Sequence, residues 1–113
     1  MKFIIKLLLA AVAVIITSYL LKGVSVDTFL TAVILAAVLA VLNATLKPLL
    51  VILTIPITIL SLGIFLLVIN ALIILLADYL IPGFAVDNFW WALAFSLILS
   101  LIISVFDSLT KDR

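Results

Sequence analysis

Tyr19-Leu20-Leu21-Lys22-Gly23-Val24-Ser25-Val26-Asp27-Thr28-Phe29-Leu30-Thr31-Ala32, residues 19–32, return as Tyr79-Leu80-Ile81-Pro82-Gly83-Phe84-Ala85-Val86-Asp87-Asn88-Phe89-Trp90-Trp91-Ala92, residues 79–92. Seven of the fourteen aligned positions are identical. Chance agreement among Leu, Ile, Val and Ala does not produce a shared Gly-x-x-Val-Asp-x-Phe core, and self-similarity at a fixed spacing marks a repeated structural unit. Each copy lies between two apolar runs, so the unit reads as a helical hairpin with its turn at Gly-x-x-Val-Asp.

The runs cover 3–21, 29–46, 49–62, 63–80 and 89–106, and a bilayer crossing takes roughly 20 helical residues. The middle run is too short; Pro48 bounds it, Pro56 interrupts it, and Ser61 and Gly63 follow it, all unfavourable to a continuous helix. The expected fold class is therefore an all-α integral membrane protein. Four transmembrane helices form two parallel-repeat hairpins, 3–46 and 63–108, joined by a Pro-bounded re-entrant or interfacial segment, 47–62, in one membrane domain. With 113 residues, 70% hydrophobic and 10% charged, the chain falls far below the roughly one-quarter charged fraction of soluble domains. Lipid is its expected solvent. A secretory leader is the weaker reading of the first run, because the run reaches Tyr19 and closes on Leu20, Leu21 and Lys22 rather than on a small-x-small cleavage site.

Two hairpins inserted alike place both Gly-x-x-Val-Asp turns on one side. Lys2, Lys6, Lys47, Lys111 and Arg113 fall at the open ends, whereas the turns carry Lys22 beside Asp27, Asp78 and Asp87. By the positive-inside rule both termini are then cytoplasmic. A fifth crossing by the middle segment, the competing arrangement, would carry Lys111 and Arg113 outside.

Formal net charge is +1, which leaves no basic patch for nucleic acid. Without cysteine or histidine, disulfides, thiolate or imidazole metal sites and histidine bases are excluded. No cofactor is expected. Asp27, Asp87 and Lys22 form no clustered acid-base pair, so no enzyme activity is expected either.

Small residues recur at every fourth position in the second helix of each hairpin, as Ala32, Ala36, Ala40 and Ala44, and as Ala92, Ser96, Ser100, Ser104 and Ser108. Such rows let helix backbones approach closely in lipid. They serve packing within the four-helix unit, or a face for a second copy or a polar cavity. Asn43 and Asn70 are the carboxamides inside the expected spans, and carboxamides in lipid must find partners. They read first as a clamp on the broken segment's backbone, and second as part of a solute or ion site, since discontinuous membrane segments line such sites. Lys47 with Asp107, and Lys22 with Asp78, read as neutralising end charges. Trp90, Trp91, Phe84, Phe89, Tyr19 and Tyr79 read as an interfacial aromatic belt.

The ordered set Asn43-x-x-x-Lys47-Pro48, Pro56-x-x-x-x-x-Leu62-Gly63-x-Phe65, Asn70 and Pro82-Gly83-Phe84-x-Val86-x-x-Phe89 resembles the bacterial four-transmembrane family known as mycobacterial-type phage holin superfamily IV, from Leu42 to the last helix. The resemblance implies a multi-pass protein of the bacterial inner membrane. Holins assemble there and open holes for a lysis enzyme, while some chromosomal members of this family are linked to membrane-stress systems of the phage-shock type. Three roles follow as expectations. The first is a self-associating scaffold or membrane-stress component, with another membrane-stress protein as a potential partner. The second is a holin-like permeabilising oligomer, and the third a small-solute or ion carrier centred on Asn43 and Asn70.

Overall fold

A computed structural model describes residues 2–110 and is mostly helical: α1 Lys2–Leu20, β1 Val24–Val26, α2 Phe29–Leu53, α3 Ile55–Leu60, α4 Ile64–Leu80, β2 Phe84–Val86 and α5 Phe89–Thr110. Helices α1, α2 and α5 are long and apolar enough to cross a membrane, and α4 is a shorter apolar helix of 17 residues. Each of α2 and α5 starts from a side-chain cap at the same place after its turn. The Thr28 hydroxyl accepts the Thr31 N–H at 3.0 Å, and the Asn88 carboxamide oxygen accepts the Trp91 N–H at 3.1 Å, satisfying donors that a helix start leaves open.

The four long helices form a ring in which α1 and α4 each pack against both α2 and α5. Thus α1 faces α4, and α2 faces α5, diagonally across the bundle axis. The two turns meet at one end, where β1 and β2 pair antiparallel with Val24 opposite Val86, Ser25 opposite Ala85 and Val26 opposite Phe84. The bonds beyond the strands are reciprocal: Asp27 N–H donates to the Gly83 carbonyl at 3.0 Å, and Asp87 N–H donates to the Gly23 carbonyl at 2.8 Å. The matching turn segments are therefore held to each other.

At this strand end the bundle is filled. Phe95, Leu35, Val14 and Thr17 are fully buried, and Phe84 of β2 stacks at a tilt on Phe95 with centroids 5.5 Å apart. Buried Thr17 returns its hydroxyl proton to the Ala13 carbonyl at 2.7 Å, so its polar group is not stranded. Gly23 lies against the Trp91 ring, which occupies the space a Cβ would need.

The boundary expected at Pro48 is corrected: Pro48 sits inside α2, which continues to Leu53. A helix-interior proline removes one backbone bond, but in an apolar setting unravelling the helix would strand several more, so continuation is the cheaper outcome. The interruption instead falls at Thr54, and Pro56 occupies the first turn of α3, where a missing N–H is harmless. The clamp expected of Asn43 and Asn70 is corrected as well, because hydroxyls do that work. Thr54 donates to the Leu50 carbonyl at 2.8 Å, Ser61 donates to the Thr58 carbonyl at 3.2 Å, and the Ser61 oxygen accepts the Phe65 N–H at 3.1 Å. Leu62 and Gly63 then take positive φ angles of 58° and 90° to turn the chain into α4.

Candidate functional site

Below the filled strand end the ring opens into a cavity of about 210 Å³, lined from all four long helices. Its polar groups are Asn43 and Lys47 from α2, Asn70 from α4, and Ser96 and Ser100 from α5; Val14, Leu39, Ile73 and Leu99 contribute apolar wall. A second recess of about 240 Å³ lies towards the termini, with Lys6, Phe106 and Asp107 on its wall. Ala10, Ala40 and Ile103 border both, so the two spaces adjoin.

Helix geometry explains the convergence. Ala36, Ala40, Asn43 and Lys47 follow the i, i+4, i+7, i+11 spacing of one α2 face, and Ser96, Ser100 and Ile103 follow i, i+4, i+7 on α5. Since α2 and α5 oppose each other across the axis, small residues on both leave a gap rather than a contact. The rows accordingly divide along their length. Ala32, Ala36, Ala92 and Ser96 are buried in the bundle, Ala40 and Ser100 are exposed at the cavity, and Ala44, Ser104 and Ser108 are exposed nearer the termini.

Buried Ser96 satisfies itself locally, donating to the Leu93 carbonyl at 2.9 Å. Lys47 is half-buried and is the one charged residue on the cavity wall among the described residues. Asp107 faces the neighbouring recess, where Lys6 shares the wall, rather than the space Lys47 lines. The pairing expected of Asp78 with Lys22 gives way to a backbone contact, the Asp78 carboxylate accepting the Val86 N–H at 3.1 Å. Of the residues singled out by sequence, Pro48 sits within α2, Pro56 and Gly63 shape the break after it, and Pro82 and Gly83 shape the second turn; all five lie outside the cavity. Lys111 and Arg113 lie outside the described residues.

Among the described residues this wall offers an ammonium, two carboxamides and two hydroxyls in an apolar frame, and no carboxylate. Its chemistry is that of hydrogen-bond donation to a polar or anionic group. Sequence reasoning named each of these polar residues and brought Asn43 and Asn70 together, but not with Lys47 and the α5 serines, and it missed Trp91 on Gly23 and the Asp78 bond to β2. The aligned turns were the signal for the latter two, since Gly23 opens the first and Asp78 directly precedes the second.

The chain matches the family model described as mycobacterial 4 TMS phage holin, superfamily IV, over residues 1–105. The chain belongs to this holin superfamily. An uncharacterized protein of Streptomyces coelicolor is 34% identical over 97% of this chain and 96% of its own length. The uncharacterized membrane protein YvlD of Bacillus subtilis is 34% identical over 88% of this chain and 85% of its own. No solved structure matches. For a superfamily member of four membrane segments, the ring of α1, α2, α4 and α5 accounts for the four, with α3 as the short piece between the second and third.

Proposed function

We propose that this holin-superfamily chain is a self-associating, non-enzymatic component of the bacterial inner membrane, acting as a scaffold or membrane-stress element rather than as the wall of a wide hole. Its two hairpins are copies of one unit, both termini are cytoplasmic, and the cavity opens towards the cytoplasm. The observation that carries the reading is the direction of the polar groups: Asn43, Lys47, Asn70, Ser96 and Ser100 line a space inside a single chain. A hole built from many copies needs a polar outward face instead. The outward faces here present Phe3, Ile16, Leu30, Ile34, Leu72 and Leu97, which suit lipid, and the packed strand end argues against a channel through the bundle. Ala44, Ser104 and Ser108 are the small residues left exposed for self-association. Lys2, Lys6 and Lys47 at the terminal end support the cytoplasmic assignment.

The test is induction in a bacterial host to the level of an inert membrane protein, following membrane potential and release of a co-expressed lysis enzyme. An intact potential with the enzyme retained is expected; prompt depolarisation with release would instead establish a holin-like hole. The meeting of Asn43 and Asn70 on one cavity favours a second reading, a small-solute carrier. Loss of flux in folded Asn43→Leu and Asn70→Leu proteins would support it.

A further inference from the structure

We infer that the cavity is a binding site for a phosphate-type oxyanion, with Lys47 supplying the charge and Asn43, Asn70 and Ser100 supplying neutral donors. The inference rests on the cavity being a ligand site and is independent of whether the protein acts as scaffold or carrier.

Three observations lead to it. First, Thr17, Ser18, Thr45 and Ser96 each donate to a carbonyl three or four residues back. The carboxamides of Asn43 and Asn70, the Lys47 ammonium and the Ser100 hydroxyl make no such bond among the described residues, yet all four border one space. Asn43 and Ser100 are exposed on this wall and Asn70 and Lys47 half-buried; carboxamides within a span are costly without partners, so the convergence of these groups points to a shared polar guest. Second, the sign of the charge is fixed. Among the described residues Lys47 is the sole ionisable residue on the wall, and the carboxylate of the adjoining recess, Asp107, shares that other wall with Lys6. An ammonium with amide and hydroxyl donors selects an oxyanion over a cation. Third, about 210 Å³ is far more than the ~30 Å³ a water molecule occupies in the liquid, and four helices contribute walls, so a tetrahedral anion has room. Simple snorkelling of Lys47 to the headgroups would account for the lysine but not for the two carboxamides on the same space.

The anion has two sources, a free phosphate or the phosphate of an anionic lipid. The adjoining recess, walled by Phe3, Leu7, Leu9, Ile103 and Phe106, gives an acyl chain an apolar path.

The test uses the purified full-length protein. One arm measures equilibrium dialysis of radiolabelled inorganic phosphate in neutral detergent. The other counts retained phosphatidylglycerol by native mass spectrometry after nanodiscs of phosphatidylcholine with phosphatidylglycerol are stripped. Binding of phosphate in the first arm identifies the free anion as a ligand, and retention of about one phosphatidylglycerol in preference to phosphatidylcholine identifies the lipid. Lys47→Met should lower whichever binding is seen by about tenfold, as expected for a lost charge-assisted hydrogen bond, and Lys47→Arg should largely keep it. No binding by the unaltered protein in either arm would overturn the inference, whether or not the variants fold. So would undiminished binding by folded Lys47→Met. Neither result bears on the leakage experiment.

Discussion

Gly23 and Gly63 are both conformational punctuation in the sequence, but they are held by different forces. At Gly23 the indole of Trp91 fills the position of a Cβ, so Gly23→Ala must push a half-buried aromatic off the bundle end. Overpacking of this kind costs about 1–3 kcal/mol, and the upper part of that range is expected because the neighbours are the strand pair and α5. At Gly63 nothing lies within 4 Å of where a methyl group would sit and the constraint is φ of 90° alone, so Gly63→Ala should cost about 1 kcal/mol. Reversible unfolding in mixed micelles compares the two directly; equal losses would show that Trp91 does not rest on Gly23. Asp78 is a second residue whose work is local. Removing its carboxylate in Asp78→Ala leaves the Val86 N–H without its acceptor, a loss of about 1–3 kcal/mol. Faster amide hydrogen exchange at Val86 would follow, whereas an unchanged rate would argue that water replaces the carboxylate freely.

Among the elements, the four apolar helices were legible in the sequence because hydrophobic run length and the aligned turns report them directly. The strands were not, since Val24–Val26 and Phe84–Val86 are three residues each and their pairing joins positions far apart in the chain. The break was legible as an event but misplaced, because Pro48 carries a strong local signal that the continuing helix overrides, and Thr54 carries a weak one. The polar residues of the site were each legible by type, but which carboxamide meets which serine depends on the ring order of the helices, set by tertiary packing. The connection after α2 is held by short hydroxyls rather than carboxamides, and that makes a prediction. Ser61→Ala removes the acceptor of the Phe65 N–H and should cost about 1 kcal/mol, as loss of a helix cap does, with α4 fraying first from its Ile64 end. Asn43→Leu leaves these hydroxyl bonds intact and should not fray α4. Site-resolved hydrogen exchange along 63–68 separates the cases, and fraying in both would return the carboxamide to a structural role.

For the bundle as a unit, the deciding question is whether α4 crosses the membrane, because its 17 residues span about 25 Å at ~1.5 Å per residue, short of a ~30 Å hydrocarbon core. Its packing argues that it does. It lies against both α2 and α5 in the ring, and β2 directly after it pairs with β1, so its far end is fixed to the turn that follows α1. If α1 brings β1 to one surface, α4 must bring β2 to the same surface, and the mismatch is taken up by local bilayer thinning at modest cost. No charged residue lies between Lys47 and Asp78, so the end of α2, α3 and the start of α4 can remain within the apolar layer while the bundle adjusts. With no native cysteine, single thiols at Ser25 and Asp107 report the outcome cleanly. Three crossings between them, by α2, α4 and α5, put the two positions on opposite sides. Ser25→Cys should react with an impermeant maleimide added outside intact cells, and Asp107→Cys should react only after the membrane is opened. Labelling of both from the same side would mean an even number of crossings between them, and the pairing of β1 with β2 at one surface would then have to be abandoned.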